Sequence, residues 1–383
     1  MTRESFTFAT AGRVVFGPGT ARQIPGAVVA HGSHALLVTG SRPQRYNVRD
    51  ALEEAGVDLV TLSVEREPTV ADARAAVDAA RGCDVVLGLG GGSVIDLAKA
   101  AGALVAAADP MDHLEVIGAG RPLPGPGLPV VAVPTTAGTG SEVTANAVLS
   151  SPEHAVKVSL RGPTLLPRVA IVDPLLTLSC PKAVTASAGL DALTQCLEPF
   201  VSPHASPLTD GFARTGLAAA GRSLRRAYDR GSDEAARTDM SLSSLLGGMA
   251  LANAKLGAVH GLAGVVGGVT GGAHGAICAA LLPSAVTVTV TALRGRDPSS
   301  VALRRFAEAA RLVTGDQTAR VEDLVSWVRD TCQFLSIPGL GKHGLGAEDI
   351  EDVVTAAARS SSMKGHPIEL TVDELSSIVR SSL

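Results

Sequence analysis

The sequence predicts a two-part fold: an α/β domain with a parallel sheet over residues 1–180, then an all-helical domain over residues 181–383. In the first part, short apolar segments alternate with amphipathic ones, and such an alternation forms parallel sheets through right-handed crossovers. In the second part strand signals nearly vanish, and long Ala- and Leu-rich segments follow one another. The boundary lies near Pro174 and Pro181, because proline interrupts regular structure.

The individual elements follow from the same patterns. The predicted strands are HALLVTG at 34–40, DLVTLSV at 58–64, DVVLGLG at 84–90 and LPVVAVPTT at 128–136. The predicted helices of the first part lie at 44–56, 69–82 and 91–107. Thr69 is the expected N-cap of the second of these helices and is followed by Asp72. The helical segments of the second part lie at 183–200, 206–229, 233–253, 257–294, 298–314, 320–335 and 346–360.

Composition excludes several classes of partner. The formal net charge is -4 and aromatic residues make up 3%, so neither nucleic acid nor a membrane is an expected partner. The five cysteines are scattered and contain no Cys-x-x-Cys pair, which argues against a disulfide framework and a thiolate zinc site and favours a cytoplasmic location. The apolar segment 262–283 carries His274 and many glycines, so we interpret it as buried helix rather than as a membrane span.

Two glycine-rich loops carry the first functional signal. GLGGGSVIDLAK at 88–99 ends a predicted strand and opens a helix, so its glycines and helix N-terminal amides suit an anion such as a pyrophosphate. A tight strand-to-helix turn is the alternative explanation. VPTTAGTGSEVT at 133–144 follows the next strand and supplies several hydroxyls. Two such loops at the carboxyl ends of parallel strands are what a dinucleotide crevice requires.

The order of motifs along the chain resembles that of the iron-containing, or group III, alcohol dehydrogenases. The motifs are FGPGT, GLGGGSVIDLAKA, VPTTAGTGSEVT, VDPLLTLS, GLDALTQ, and GAVHGLA followed by HGAICAALLP. The resemblance implies the architecture shared with dehydroquinate synthase, with a cleft between a dinucleotide-binding domain and a helical domain. It also implies hydride exchange between NAD or NADP and a small aldehyde, ketone or alcohol, a divalent metal such as Fe²⁺ or Zn²⁺, and a homodimer or larger homo-oligomer.

The same resemblance assigns cofactor contacts to particular residues. Gly91, Gly92, Ser93 and Asp96 would serve the pyrophosphate loop, and Thr135, Thr136 and Thr139 would line the cofactor. Lys157 would lie near the nicotinamide ribose, and Leu178 would contact the cofactor. Without the resemblance, Lys157 would be interpreted as a solvated strand lysine.

The metal site implied by the resemblance departs from the family pattern at one ligand. In the family, an Asp and a His four residues apart would lie on one helix, and two further His would come from later segments. Here Asp191, His260 and His274 remain, while Gln195 replaces the His four residues after the Asp. An amide oxygen is a weaker ligand than imidazole, so Gln195 is expected to coordinate weakly or to bind a metal-bound water. The alternative is a metal-free site in which His260 or His274 donates a proton. Gly264 replaces a further family His near the substrate.

The residues that follow the strand at 34–40 bear on the choice of cofactor. Relatives that prefer NAD often carry an Asp there, whereas this chain has Gly40, Ser41 and Arg42. A carboxylate would repel a 2′-phosphate, so its absence favours NADP over NAD modestly. A solvated loop containing Arg42 and Arg45 is the alternative.

Two other functions stay open from the sequence. One is a lyase or cyclase of the dehydroquinate-synthase type, which would use a bound dinucleotide transiently. The other is a catalytically silent cofactor-binding protein, which the two missing family histidines would explain.

Overall fold

The computed structural model describes residues 5–42, 46–107, 109–154 and 156–383. The chain forms two compact units. The α/β unit comprises residues 10–136 and 140–179, and the helical unit comprises residues 5–9, 137–139 and 180–383. Each unit has its own hydrophobic core, as expected of a domain.

The α/β unit is built on a parallel sheet, as the alternating pattern predicts. Its described strands are β1 Arg13–Phe16, β2 His34–Thr39, β3 Asp58–Ser63, β4 Val85–Gly90, β5 Val130–Pro134, β6 Asn146–Ser151, β7 Val156–Arg161 and β8 Val169–Val172. Six of them form a parallel sheet in the order β1-β8-β5-β4-β2-β3, while β6 and β7 form a separate antiparallel pair. The four predicted strands correspond to β2, β3, β4 and β5. The sequence patterns missed the other four described strands, of which β1 and β8 have only four residues each.

Helices cover this sheet. They are α1 Ile24–Val29, α2 Val48–Glu54, α3 Val70–Ala80 and α4 Gly92–Leu104. Thr69 caps α3 as predicted, because its Oγ1 accepts the Asp72 N–H at 3.2 Å and Asp72 Oδ2 accepts the Thr69 N–H at 2.7 Å. The helix predicted at 44–56 is shorter: residues 44 and 45 lie outside the described residues, and α2 begins at Val48.

The helical unit contains no strand among its described residues. Its helices are α5 Lys182–Val201, α6 Pro207–Asp229, α7 Glu234–Ala254, α8 Ala258–Thr270, α9 His274–Arg296, α10 Val301–Thr314, α11 Val321–Phe334, α12 Ile350–Ala358 and α13 Val372–Arg380. The single segment predicted at 257–294 is wrong in one respect, since it is divided into α8 and α9. Gly271 ends α8 with a left-handed φ of 66°, a conformation that glycine adopts without strain.

A long apolar helix of the chain belongs to the core. By length and composition α9 could cross a membrane, as could the bent pair α7 and α8. However, 61% of the most apolar window of α9 is buried inside the protein, and core helices of this kind pass the same test. This arrangement agrees with the interpretation of segment 262–283 as buried.

A fully buried lysine connects α4 to the end of the second glycine loop. The Lys99 ammonium donates hydrogen bonds to the Ser141 carbonyl at 2.8 Å, to Ser141 Oγ at 3.0 Å and to Thr144 Oγ1 at 3.0 Å. It also lies 3.4 Å from Asp96 Oδ1, and Asp96 Oδ2 accepts the Val148 N–H at 3.0 Å. Every donor of the buried ammonium therefore has a partner, which is the condition for burying a charge.

The same cluster contains a second buried carboxyl. Glu142 is only 2% exposed, and burial raises its pKa to about 7, against the opposing effect of the Lys99 charge. Burial lowers the pKa of Lys99, and the Asp96 and Glu142 carboxylates act in the opposite direction. The Lys99 ammonium and the neighbouring carboxylates thus stabilise one another's charged forms.

We predict that Lys99→Met destabilises the protein. Removing one partner of a buried ionic cluster leaves the others uncompensated, which costs about 3–5 kcal/mol of unfolding free energy. Urea denaturation would measure this loss. Lys342→Met is the control, because Lys342 is exposed and its replacement should change stability by about 0.5 kcal/mol or less. Equal stability of the two variants would contradict the structural role of Lys99.

Candidate active site

Helix α5 carries three polar side chains on one face in the core of the helical unit. Asp191, Gln195 and Glu198 follow one another at intervals of four and three residues, which places them on the same side of a helix. They are 1%, 2% and 6% exposed, respectively. Burying carboxylates in this way is unfavourable unless they are paired with cations or hydrogen-bond donors. The surroundings of these residues must therefore supply such partners.

Glu198 obtains its partners from the start of α8. Its Oε1 accepts the Val259 N–H at 2.8 Å, and its Oε2 lies 2.7 Å from His260 Nδ1. A carboxylate accepts hydrogen bonds, so Nδ1 of His260 carries the proton that it donates to Glu198. In the neutral imidazole, Nε2 is then left as a lone-pair donor, the arrangement found in histidines that bind metals.

The Nε2 atom of His260 points toward Asp191. The distance from Nε2 to Asp191 Oδ1 is 3.3 Å, yet neither atom has a hydrogen-bond partner among the described residues. Both atoms are buried. Unsatisfied buried polar atoms are rare in folded proteins, and each requires an explanation. Two such atoms, facing each other at this distance, have the character expected of ligands to a common cation.

Gln195 is positioned to orient Asp191. Its Nε2 donates a hydrogen bond to Asp191 Oδ2 at 2.9 Å, which leaves Oδ1 of the carboxylate for the site. The Gln195 Oε1 atom is buried and has no hydrogen-bond partner among the described residues. Whether Gln195 also acts as a weak ligand stays a prediction.

Two further candidate ligands come from the first turn of α9. His274 is the first residue of that helix, and its Nε2 lies 4.0 Å from Asp191 Oδ1. The His274 side chain is 33% exposed, so it is the accessible member of the group. Cys278 lies one turn later, with its Sγ 3.6 Å from His274 Nε2. The candidate ligand atoms of Asp191, His260, His274 and Cys278 all lie within 4.8 Å of one another.

The electrostatics of this group favour a cation. Burial lowers the pKa of His260, but the Glu198 and Asp191 carboxylates outweigh burial and raise it to about 10. Burial raises the pKa of Asp191, but the close approach of His260, the charge of His274 and the hydrogen bond from Gln195 bring it below its usual value. Without a metal, a proton on His260 is the compensating charge. The buried, unsatisfied carboxylate and imidazole atoms therefore fit a divalent cation.

The first glycine loop has the shape that an anion site requires. Gly91 is the extended residue before α4, and Gly92 and Ser93 begin the helix. A Cβ atom at Gly90 would lie 2.5 Å from Val94 Cγ2, so only glycine allows α4 to pack this closely on β4. The N-terminal amides of this 13-residue helix are thus available to a pyrophosphate.

The second glycine loop meets the first one. The Thr135 N–H donates to the Gly90 carbonyl at 2.9 Å. A Cβ atom at Gly91 would lie 3.4 Å from Thr136 Oγ1, which places that hydroxyl at the first loop. Thr139 is assigned to the helical unit. Its role in lining the cofactor stays a prediction.

The remaining predicted cofactor residues have diverse surroundings. Asp96 is held by the Ser141 hydroxyl, Lys99 and Val148, so the contacts that position it are structural. Lys157 lies on β7 with its side chain 5% exposed and paired with Glu67. The contributions of Asp96 and Lys157 to cofactor binding stay predictions.

Residues predicted to select the cofactor follow β2. Gly40 is half-buried, Ser41 and Arg42 are exposed, and Arg45 lies outside the described residues. Leu178, half-buried, follows the 3-10 helix Pro174–Thr177. Their roles in cofactor binding also remain predictions.

Open space surrounds Gly264, one turn after His260 on α8. A Cβ atom at this position would meet nothing within 4 Å. The sequence patterns identified Gly264 as the replacement of a family His. They missed Cys278, although its spacing of four residues from His274 on a helix is the signal that could have identified it.

Comparisons with known proteins agree with this geometry. Residues 11–174 match the iron-containing alcohol dehydrogenase family, and residues 185–383 match the C-terminal domain of the Fe-containing alcohol dehydrogenase family. A long-chain-alcohol dehydrogenase from Geobacillus thermodenitrificans is 41% identical over 286 residues, which is 71% of this chain and 72% of that protein. An NAD-dependent methanol dehydrogenase from Bacillus methanolicus is 31% identical over 96% of this chain and 97% of its own length.

Solved structures agree as well. The crystal structure of a 1,3-propanediol oxidoreductase superposes with a TM-score of 0.90 at 31% identity, covering 99% of this chain and all of that chain. The predicted α/β unit followed by a helical unit is thereby confirmed, and a lyase or cyclase is not favoured. The chain belongs to the iron-containing alcohol dehydrogenase family and is an oxidoreductase that acts on CH–OH groups.

Proposed function

We propose that this chain interconverts a small aldehyde or ketone and its alcohol by hydride exchange with a nicotinamide cofactor, using a divalent cation held by Asp191, His260 and His274. The observation that carries the proposal is the pair of buried, unsatisfied atoms Asp191 Oδ1 and His260 Nε2, 3.3 Å apart. A bound divalent cation supplies Lewis-acid polarisation of the substrate oxygen.

The chain's own residues prepare this site. Glu198 fixes the tautomer and direction of His260, and Gln195 fixes the carboxylate of Asp191. His274 is the partly exposed member, so it marks the side from which substrate reaches the group. Because the Nδ1 proton of His260 is committed to Glu198, the proton exchanged with the substrate oxygen comes from solvent, for which the space around Gly264 gives room.

A metal-free reductase is the second candidate function. The observation that favours it is the pKa of His260, which the neighbouring carboxylates raise to about 10. An imidazolium at this position would direct its Nε2 proton toward Asp191 and place a positive charge inside the group. Measuring metal content together with aldehyde reduction separates the two candidate functions.

Three further attributes are proposed from sequence and composition. NADP is favoured over NAD because Gly40, Ser41 and Arg42 stand where a carboxylate would hold the ribose. A reducing cytoplasmic location fits the five cysteines, none of which forms a disulfide within the described part of the chain. Assembly as a homodimer or larger homo-oligomer follows the family resemblance.

We predict that His260→Ala abolishes retention of the metal and most of the activity. The variant removes the buried imidazole that Glu198 orients toward Asp191. Metal content after dialysis against a mild chelator and reduction of small aldehydes would both be measured. His31→Ala, in the α/β unit, is the control and should retain metal and activity. Full aldehyde reduction by a metal-free wild type would instead support the metal-free reductase.

We predict that Glu198→Gln weakens metal binding without removing a ligand. The amide can still contact His260, but it lacks the charge that makes the imidazole a better donor. Loss of such an orienting partner typically lowers metal affinity by about 10–100-fold. Competition with a chromogenic chelator would measure the affinity, and circular dichroism would check the fold. Unchanged affinity in a folded variant would show that Glu198 has no part in holding the metal.

We predict that NADPH binds more tightly than NADH, and that Gly40→Asp reverses this preference. The introduced carboxylate would repel a 2′-phosphate and hydrogen-bond a ribose hydroxyl. A Cβ atom at Gly40 meets nothing within 4 Å, so the new side chain has room at its base. Fluorescence titration with both cofactors would decide the matter. Tighter binding of NADH by the wild type would contradict the prediction.

A further inference from the structure

The candidate metal group contains a thiol that the sequence patterns did not connect with it. Cys278 is fully buried on α9, one turn after His274, and its Sγ lies 3.6 Å from His274 Nε2. A thiolate site was not expected from the sequence, because the five cysteines are scattered and contain no Cys-x-x-Cys pair. The fold brings this one cysteine to the buried atoms of Asp191 and His260.

We propose that Cys278 is a fourth protein ligand of the divalent cation, bound as a thiolate, and that it compensates for the imidazole missing at Gln195. The proposal deepens the proposed function and rests on the same metal site. It concerns which atoms hold the cation and therefore which cation the site prefers.

Two of the observed separations match those of a tetrahedral site, and all four candidate ligand atoms lie within 4.8 Å of one another. Zinc bonds of about 2.3 Å to sulfur and about 2.0–2.1 Å to nitrogen or oxygen place sulfur and nitrogen about 3.5 Å apart, and nitrogen and oxygen about 3.4 Å apart. The observed separations are 3.6 Å between Cys278 Sγ and His274 Nε2, and 3.3 Å between His260 Nε2 and Asp191 Oδ1. The His274–Asp191 separation of 4.0 Å is wider, and His274 is the partly exposed residue of the group, at a helix start.

Gln195 is less suited than Cys278 to be the fourth ligand of the cation. Its amide nitrogen is directed at Asp191, so a donor group rather than an oxygen lies next to the ligand carboxylate. An amide oxygen is also neutral and binds these metals weakly, whereas a thiolate is charged and binds them strongly. The site thus keeps four protein ligands although one imidazole is absent.

Thiolate binding changes the charge and the metal preference of the site. Cys278 would lose its thiol proton to solvent as the sulfur–metal bond forms. The charges of Asp191 and the thiolate together equal that of a divalent cation, while Glu198 beside His260 adds a further buried negative charge. Because thiolate is a soft ligand, the set favours zinc over Fe²⁺.

Cobalt substitution and X-ray absorption test the proposal on the full chain. The wild-type protein loaded with Co²⁺ should show a near-ultraviolet thiolate-to-cobalt charge-transfer band. Loaded with Zn²⁺, it should show one sulfur neighbour at about 2.3 Å. Cys278→Ser should abolish the band and lower the Zn²⁺ affinity by about 10–100-fold or more, since even outer partners have effects of that size.

Cys332→Ser is the matched control. Cys332 is also buried, and its Sγ faces the carbonyl of Ala279, next to Cys278, without belonging to the metal group. This variant should keep both the band and the affinity. If Cys278→Ser fails to fold, the wild-type zinc spectrum decides alone.

The outcomes separate this inference from the function on which it rests. A cation bound through nitrogen and oxygen only, or a band that persists in Cys278→Ser, overturns the role of Cys278 and leaves the metal-dependent function standing. A wild type that binds no cation overturns both.

Discussion

The hydrogen bond between Glu198 and His260 is the interaction on which the helical unit's chemistry depends. It lies in a core where Asp191 is also buried, so two carboxylates share one imidazole. The pair fixes His260 with its Nε2 toward Asp191 and leaves both facing atoms unsatisfied. A folded core tolerates such a surplus of negative charge when a cation compensates for it. The start of α8, one face of α5 and the first turn of α9 supply the residues that would surround this cation.

The two units use buried charge in opposite ways. In the α/β unit, the Lys99 ammonium has hydrogen-bond partners for all its donors, and the cluster connects α4 with the end of the second glycine loop. In the helical unit, the facing atoms of Asp191 and His260 have no hydrogen-bond partner among the described residues. Buried polar groups that all have hydrogen-bond partners stabilise a fold. Buried polar atoms without such partners are candidates for binding a ligand or an ion. This contrast separates a structural lysine from candidate ligands without reference to any relative.

Much of the fold could be predicted from the sequence, because the signals are local. Thr69 and Asp72 form a capping box that indicates the start of α3. The four apolar segments that form β2, β3, β4 and β5 are evident from their composition. β1 and β8 were not predicted, because a strand of four residues carries too little sequence pattern. Each of them also pairs only with strands that are distant in sequence. The break between α8 and α9 depends on the left-handed conformation of Gly271, one glycine among many in that segment.

Only part of the candidate site could be predicted from the sequence. The spacing between Asp191 and Gln195 and the resemblance to a family indicated Asp191, His260 and His274. Cys278 was missed because a cysteine in an apolar helix is usually a core residue, and only the fold reveals that its sulfur faces His274. The orienting role of Glu198 likewise appears only when α5 and α8 are placed together.

Anomalous X-ray diffraction from crystals of the purified protein, recorded on both sides of the iron and zinc absorption edges, tests the central claim most directly. The account predicts one anomalous peak within bonding distance, about 2.0–2.3 Å, of Asp191 Oδ1, His260 Nε2 and His274 Nε2. A protein that reduces aldehydes at its full rate, yet shows an ordinary water and no anomalous peak between these atoms, would contradict it.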